Sequence, residues 1–185
     1  GDLVAAGSTR ACPNSDMAVA RYNADGKLDT GFSTDGKATV DFSGFWDEAR
    51  GVAWHPEGNL VVAGYSNVVN TNQDFALASL CPNGGLDDGI NCGSPAFGSG
   101  GLVTSDLSGS YDRAAAVAVQ ADGKILAAGY SRGTSTDFAL VRYCADGWLD
   151  DGVNCGNPAF GTAGKTTTDF WGDWDEIAAL RLLPD

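Results

Sequence analysis

The fold is decided by one stretch of sequence that occurs twice: residues 47–64 read DEARGVAWHPEGNLVVAG, and residues 112–129 read DRAAAVAVQADGKILAAG. In each copy, two apolar segments flank a short polar turn that contains a glycine, Gly58 or Gly123. Glycine readily adopts the positive φ that tight hairpin turns require. Each copy therefore predicts two antiparallel strands, A and B, joined by a short turn.

Two further apolar segments follow in the same order in every repeat. Strand C reads MAVARY, FALASL or FALVRY, and strand D ends in TVDF, TSDL or TTDF. Strands B and C are nearly continuous apolar runs, which is typical of strands that are buried on both faces. The expected strands are A near 49–55, 114–120 and 177–183; B near 2–8, 59–65 and 124–130; C near 17–22, 75–80 and 138–143; and D near 37–42, 102–107 and 165–170.

These four strands form a repeat unit of roughly 63 residues. Repeat 1 covers 1–46 with strands B to D, repeat 2 covers 47–111, repeat 3 covers 112–174, and 175–185 is strand A of a split or following blade. Four antiparallel strands repeated radially are typical of a β-propeller. The alternative, a parallel β-helix, has shorter rungs without such hairpins. We predict an all-β, β-propeller-like array of four-stranded antiparallel blades, with two whole blades and one blade split between the N- and C-termini.

The sequence leaves two routes to a closed array. Residues 183–185 followed by residues 1–3 recreate the A–B hairpin, so a C-terminal strand can complete the first blade. A ring of three blades is smaller than the usual four to eight. We therefore expect either further blades outside this chain or self-association of copies through their complementary terminal strands.

The composition indicates a globular protein and excludes some partners. The chain has 185 residues, of which 43% are hydrophobic and 19% are charged, and its formal net charge is −13. This negative charge repels phosphate groups, so a nucleic-acid partner is not expected. No apolar run approaches the roughly 18 residues of a membrane helix, so membrane insertion is not expected either.

The five cysteines predict two disulfides. Cys81 and Cys92 have the same separation as Cys144 and Cys155, and repeat 1 lacks both the equivalent cysteines and the insertion that carries the second of each pair. Cysteines that occur together or not at all are expected to pair, which predicts an oxidising compartment. Zinc is the alternative, but two cysteines without histidine make a poor site. Cys12 is expected to be free, with a bridge to another chain as the alternative.

The repeat resembles the delta-60 repeat family of bacterial secreted and surface proteins. The resemblance is carried by QADGKILAAG at 120–129, DFALVRY at 137–143, DGWLD at 146–150 and FGTAG at 160–164. It implies a propeller-like fold and an extracellular or cell-surface location. It implies no activity, because the family has no general assigned function. The cysteine-bearing insertion departs from the family pattern.

The sequence does not indicate an enzyme. Its single histidine, His55, is replaced by Gln120 and Leu183 in the other repeats, and no Gly-x-Ser-x-Gly nucleophile motif is present. We expect His55 to have a structural or surface role. A fragment of a propeller lyase or hydrolase remains an alternative.

Asp-rich turns are the candidate metal ligands. Asp25, Asp29, Asp146 and Asp150 offer oxygen atoms that suit Ca²⁺. Aspartate also stabilises turns through its own hydrogen bonds, and that structural role is favoured here. Apart from this calcium alternative, no cofactor is expected.

A second set of aspartates recurs at fixed points in every repeat, before strand C or within strand D. Because an active site normally breaks repeat symmetry, these residues are expected to cap turns as architectural elements. They are Asp16, Asp74, Asp137, Asp41, Asp106 and Asp169.

Aromatic residues in the D–A connections are the candidate ligand-binding residues. Trp46, Tyr111 and Trp174 each precede the Asp that opens the next strand A, and Phe45 and Trp171 lie nearby. The B–C loops, which differ most between repeats, share a face with these connections. Variable loops on a rigid scaffold are typical binding sites. The sequence thus favours a non-enzymatic extracellular module for binding or scaffolding, with a glycan or protein ligand.

Two alternatives to this interpretation remain. The aromatic rings can instead wedge between adjacent blades. The chain can also be a self-assembling structural protein, in which complementary terminal strands join copies into rings or filaments.

Overall fold

The computed structural model describes residues 1–11, 14–42, 46–67, 72–92, 95–156 and 158–184. Cys12 and Phe45 lie outside the described residues, so the expectations for them stay predictions. Eleven β-strands occur within the described ranges. No helix in those ranges is long and apolar enough to cross a membrane.

The strands form three antiparallel sheets, each of which is one blade. Blade 1 has the order β1-β2-β3, blade 2 the order β4-β5-β6-β7, and blade 3 the order β8-β9-β10-β11 when read from its first strand. This all-β blade array confirms the predicted fold class. The strand bounds are β1 Leu3–Ala11, β2 Asn14–Tyr22, β3 Lys37–Val40, β4 Asp47–Trp54, β5 Leu60–Ser66, β6 Asp74–Leu80, β7 Leu102–Ser105, β8 Asp112–Val119, β9 Ile125–Arg132, β10 Thr136–Tyr143 and β11 Lys165–Thr168.

The A–B hairpins have the turn chemistry that the sequence predicts. Gly58 and Gly123 adopt φ values of 98° and 84°. The amide of Gly58 donates to the carbonyl of His55 at 2.9 Å, and the amide of Gly123 donates to that of Gln120 at 3.0 Å. The chain therefore reverses between β4 and β5, and between β8 and β9, within a few residues.

A β-bulge in strand A explains an invariant glycine in strand B. The register shifts between Ala49 and Gly51 in the β4–β5 pair, and at the same place in the β8–β9 pair. The bulge brings the Glu48 carbonyl so close to Gly64 that a Cβ there would lie 1.8 Å from the oxygen. Gly129 has the same environment, with 1.9 Å to the Arg113 carbonyl. Only glycine fits under this crossing backbone.

The hydrophobic core lies between the blades. Successive side chains of the middle blade pack alternately towards one neighbouring blade and the other. In β5, Leu60 and Val62 pack towards blade 1, whereas Val61 and Ala63 pack towards blade 3. Residues of β6 alternate in the same way. Because successive side chains of a strand point to opposite faces, a strand buried on both faces must be apolar throughout. This is why strands B and C read as continuous apolar runs.

The C-terminal segment differs from its prediction. Residues 175–184 contain no strand, although 177–183 were expected to form strand A. Ile177 is nevertheless buried, like Ala49 and Ala114 at the equivalent positions. The segment thus lies against blade 3 where a strand A belongs, and the Asp175 amide donates to the Thr136 carbonyl at 2.7 Å. No described strand pairs with residues 177–183. A strand A is held by strand B of its own blade. Among the described residues β1 pairs only with β2, so blade 1 has three strands and the split blade is not closed.

Candidate functional site

The antiparallel registers place the B–C and D–A connections at one end of the sheets. Strands β4, β6, β8 and β10 begin there, and β5, β7, β9 and β11 end there. Hydrogen bonds join the two kinds of connection, since the Asp112 amide donates to the Gln73 carbonyl at 2.6 Å and the Arg132 amide to the Tyr111 carbonyl at 3.0 Å. We call this end the B–C/D–A face. It carries variable loops on a rigid frame.

The four candidate aromatic residues on this face are all exposed. The exposed fractions are 58% for Trp46, 38% for Tyr111, 95% for Trp171 and 60% for Trp174. Rings wedged between blades would be buried, so this exposure does not fit the interblade alternative. Trp171 also has a φ of 135°, a region that side chains rarely adopt. Such backbone strain tends to occur at functional positions.

A groove of about 480 Å³ opens on this face between blades 2 and 3 and the C-terminal segment. Its walls combine three aromatic rings with four polar side chains. The ring of Trp174 lies 5.7 Å from that of Tyr130. The lining residues are Gln73, Tyr111, Arg113, Tyr130, Arg132, Trp174 and Glu176.

Arginine and tyrosine side chains hold one another in place beside the groove. The Arg113 guanidinium lies 4.6 Å from the centre of the Tyr65 ring, and Arg113 Nε donates to the side-chain oxygen of Gln73. The Tyr65 hydroxyl donates to Glu48 at 2.6 Å. Burial raises the pKa of the Tyr65 and Tyr130 hydroxyls, which therefore stay protonated donors. These contacts fix the orientation of the Arg113 and Tyr65 side chains.

The groove carries positive charge in a strongly negative chain. Arg113 and Arg132 line it together with a single carboxylate, Glu176. Within the described part of the chain neither arginine forms a salt bridge. The Arg132 guanidinium lies 6.0 Å from the Tyr111 ring centre. Flat apolar rings beside guanidinium donors suit a ligand with an apolar face and oxygen acceptors.

The same face carries one cluster of three aspartates per blade. In each cluster, one carboxylate oxygen from every member lies within 4.8 Å of the others. The first cluster is Asp16, Asp41 and Asp47; the second is Asp74, Asp106 and Asp112; the third is Asp137, Asp169 and Asp175. Sequence analysis named the first two members of each cluster and missed the third. The signal was available, because the third is always the Asp that follows the exposed aromatic residue.

Several of these carboxylates also stabilise the D–A turns. Asp47 accepts a hydrogen bond from the Phe42 amide at 2.8 Å, and Asp112 accepts one from the Leu107 amide at 2.7 Å. Asp169 accepts amide hydrogen bonds from Trp171 and Gly172. Capping by Asp169 is what the sequence predicts for the recurrent aspartates, whereas Asp47 and Asp112 lie outside the predicted set.

The four residues considered for calcium are not brought together. Asp25 pairs with Lys27 at 2.9 Å, and Asp29 pairs with Arg21 at 2.7 Å. Asp146 accepts the Trp148 amide at 3.3 Å, and Asp150 pairs with Arg142 and Lys124 at 2.6 and 3.2 Å. Among the described residues, none of the four belongs to a group of three acidic, cysteine or histidine side chains. Three of them are instead neutralised by basic side chains.

The position of Asp29 and Asp150 has a different environment in blade 2, where Asp87 occupies it. Asp87 is 5% exposed and accepts hydrogen bonds from Asn59 at 2.7 Å and Ser79 at 3.2 Å. No described basic side chain forms a salt bridge with it. Burial raises the pKa of the Asp87 carboxyl. Blade 2 thus contains a buried carboxylate with neutral partners, an asymmetry that sequence analysis did not identify.

His55 links blades 2 and 3. The ring is 4% exposed, its Nε2 lies 3.0 Å from the Gly123 carbonyl, and its Nδ1 accepts the Glu57 amide at 3.3 Å. A nitrogen that accepts an amide hydrogen bond carries no proton, so Nε2 donates to the carbonyl. Neither bond involves a nucleophilic side chain.

Disulfides join Cys81 to Cys92 and Cys144 to Cys155, the pairs that the spacing predicts. The Cα–Cα distance is 5.5 Å in both. They lie in the C–D connections, at the end of the sheets opposite the B–C/D–A face. Two disulfides indicate an oxidising environment.

In a comparison with family models, the chain matches a model described as a domain of unknown function (DUF5122) β-propeller. The match covers residues 1–32, 55–89 and 120–152. These segments fall on all three blades and include the A–B turns and the turns after strand C. The match supports a propeller-type repeat, while the delta-60 name stays a resemblance. A search of curated proteins finds none that matches this chain.

Proposed function

We propose that this chain, which belongs to the DUF5122 β-propeller family, is a non-enzymatic extracellular module that binds a glycan. The observation that carries the proposal is the groove of about 480 Å³ on the B–C/D–A face. Its volume falls within the range of small-ligand sites.

The lining of the groove fits the chemistry of a sugar. A sugar ring has an apolar C–H face, which stacks on aromatic rings such as Tyr111 and Trp174. Its hydroxyl groups accept hydrogen bonds, which Arg132 supplies. Two arginines against one glutamate also favour a glycan with carboxylate or sulfate groups, because guanidinium groups bind such oxyanions in a bidentate manner.

The extracellular location is supported by the two disulfides, which persist in oxidising compartments. Glycans of cell surfaces and matrices are met in the same compartment, so the proposed ligand and location agree.

The proposal is tested by binding to a panel of neutral and acidic polysaccharides, followed by tryptophan fluorescence and calorimetry. Trp174→Ala and Arg132→Ala should each weaken the affinity about tenfold, which corresponds to about 1.4 kcal/mol. Trp148→Ala is the matched control, because Trp148 is 54% exposed but lies in a turn at the opposite end of the sheets. Equal losses in all three variants, or turnover of a polysaccharide that a single Asp substitution abolishes, would contradict the proposal.

Self-association is a second candidate function, favoured by unpaired strand edges. Leu3 in β1 is 60% exposed, the outer edge of β1 is unpaired among the described residues, and 177–183 pairs with no described strand. An open edge accepts another strand. Contacts between two different edges produce rings or filaments. Light scattering over a wide concentration range tests this candidate, and a mass that stays that of one chain at every concentration would exclude it.

A further inference from the structure

The first aspartate cluster lies at the junction of two blades. Asp16 lies near the start of β2 in blade 1, and Asp41 follows β3 of the same blade. Asp47 is the first residue of β4 in blade 2. One oxygen from each lies within 4.8 Å of the others. Three carboxylates from two blades thus converge on one small volume.

Two buried oxygen atoms at this junction make no hydrogen bond among the described residues. Asp47 is 1% exposed, and one of these atoms is its Oδ1. The Oγ of the completely buried Ser66 forms no hydrogen bond of ordinary geometry within the described ranges, and its interaction with Asp47 acts to lower the pKa of that carboxyl. Ser66 lies directly opposite Asp47 in the β4–β5 register, so both side chains lie on one face of the sheet. An unpaired buried polar group costs free energy, and a ligand that satisfies it removes the cost.

The charged neighbours of Asp47 have the same sign as Asp47 itself. Asp16 and Asp41 both act on its buried carboxyl group. Within the described ranges no lysine or arginine forms a salt bridge with Asp16 or Asp47. Like charges held this close repel, and a cation between them would reverse the sign of the interaction.

Two described contacts are characteristic of the second cluster. Ser108 Oγ donates to Asp112 Oδ1 at 3.0 Å, so that oxygen is satisfied. The Lys165 ammonium group lies beside the cluster, where it donates to the Asp106 carbonyl at 2.6 Å. Burial raises the pKa of Asp74, and the charge of Lys165 opposes this increase. In blade 2 the residue equivalent to Lys165 is Leu102, so the first cluster lacks this lysine.

We propose that Asp16, Asp41, Asp47 and Ser66 form a binding site for a hard divalent cation, Ca²⁺, that joins blades 1 and 2. Every candidate ligand atom is an oxygen, and oxygen-only sites select hard cations over zinc or copper. Ca²⁺ accepts six to eight oxygens in irregular geometry, so carboxylates, a hydroxyl and water molecules suffice. Mg²⁺ demands a near-ideal octahedron, which residues from three strands and a loop do not favour.

The expected affinity is that of an extracellular calcium module. Such modules bind Ca²⁺ with Kd values of about 10⁻⁴–10⁻³ M. Because the ligands come from both blades, bound Ca²⁺ should stabilise the blade 1–blade 2 junction and raise the melting temperature of the chain.

The experiment measures thermal unfolding and calorimetric binding of the full chain, first in EGTA and then with about 5 mM Ca²⁺. The melting temperature should rise by about 5 °C for the wild type. Tb³⁺, which replaces Ca²⁺, should show luminescence sensitised by Trp46, the neighbour of Asp47. Asp16→Asn and Asp47→Asn should each reduce the Ca²⁺ affinity at least tenfold and remove most of that luminescence.

Ser66→Ala keeps the test valid if an aspartate variant fails to fold. The substitution removes a buried hydroxyl, so the melting temperature of the variant in EGTA should equal or exceed that of the wild type. Its increase in melting temperature on addition of Ca²⁺ should be smaller than that of the wild type. Two controls should retain the full response: Asp35→Asn, which alters an exposed residue paired with Lys37, and Asp112→Asn, which alters the second cluster. An unchanged melting temperature of the wild type in Ca²⁺, or loss of the response in Asp112→Asn but not in Asp47→Asn, would overturn the proposal.

Discussion

At the scale of single residues, one repeat position shows how partners decide the role of a buried carboxylate. Asp150 is completely buried and is neutralised by Arg142 and Lys124. Asp87 is almost as buried, but its partners are the neutral side chains of Asn59 and Ser79. The same residue type therefore stabilises blade 3 as an ion pair and is a source of electrostatic strain in blade 2.

This contrast predicts opposite effects for one substitution. Asp150→Asn leaves two partly buried basic groups without their carboxylate and should lower the free energy of unfolding by about 3 kcal/mol. Asp87→Asn removes a buried charge while its side-chain oxygen still accepts the hydrogen bond from Asn59, so it should raise the free energy of unfolding at pH 7. Urea denaturation of both variants checks the prediction, and a destabilised Asp87→Asn would contradict it.

The pH dependence of the Asp87 effect follows from the sign of its pKa shift. Its folded-state pKa is raised above the unfolded value. The folded chain therefore holds this proton more tightly, and the resulting stability is present below the unfolded pKa and is lost as the pH rises through the folded pKa. The advantage of Asp87→Asn over the wild type should be full at pH 7 and should disappear as the pH falls below about 4.

At the scale of elements, the bulged strand A fixes which glycines of strand B are essential. Gly64 and Gly129 lie under the carbonyl of a bulged neighbour. Gly7 is the equivalent residue of β1, and no atom lies within 4 Å of a Cβ built there. The three positions share one sequence motif but only two of them face a strand A.

Alanine substitutions should separate these positions. Gly64→Ala and Gly129→Ala place a Cβ against backbone that cannot move without breaking the A–B pair, so each should destabilise the chain by at least about 2 kcal/mol. Gly7→Ala should be neutral or stabilise by up to about 1 kcal/mol, because it removes only unfolded-state freedom. Chemical denaturation measures all three. A Gly7→Ala variant as damaged as Gly64→Ala would mean that a strand A does cover β1.

The sequence predicted the strands better than the places where they meet. Periodicity and turn glycines suffice for the hairpins, because each is formed by neighbouring residues. The sequence also predicts a strand A at 177–183, but the structure has no strand there. A strand forms only where a partner strand is available, and the local sequence pattern does not contain that information. Asp47 was missed as the partner of Asp16 and Asp41 for a related reason: its role depends on how two blades pack, which no single repeat encodes.

At the scale of the whole molecule, the groove on the B–C/D–A face is a local site of positive charge in a negative chain. The net charge is −13, yet Arg113 and Arg132 meet in the groove of the B–C/D–A face. The opposite end has the disulfide loops and the paired Asp29 and Asp150. An acidic ligand would be repelled by most of this surface and attracted by the two arginines of the groove. Charge would therefore affect both the position and the affinity of binding.

This arrangement predicts a salt effect on glycan binding. The local attraction is partly exposed and is screened within about 10 Å at 0.1 M salt. The affinity for an acidic polysaccharide should fall when the salt concentration rises from about 0.05 to 0.5 M, whereas that for any neutral polysaccharide in the panel should change little. Calorimetric titrations at several salt concentrations test this, and a stronger affinity for acidic ligands at high salt would be the opposite of the expected result.

The most direct test of the binding role is to map the ligand by nuclear magnetic resonance. A ¹⁵N-labelled chain is titrated with the polysaccharide fragment that binds best, and the amide shifts are followed. The account predicts that the perturbed amides gather around Gln73, Tyr111, Arg132 and Trp174. Perturbations centred on the disulfide loops at Cys81–Cys92 and Cys144–Cys155, or no perturbation with any glycan of the panel, would contradict it.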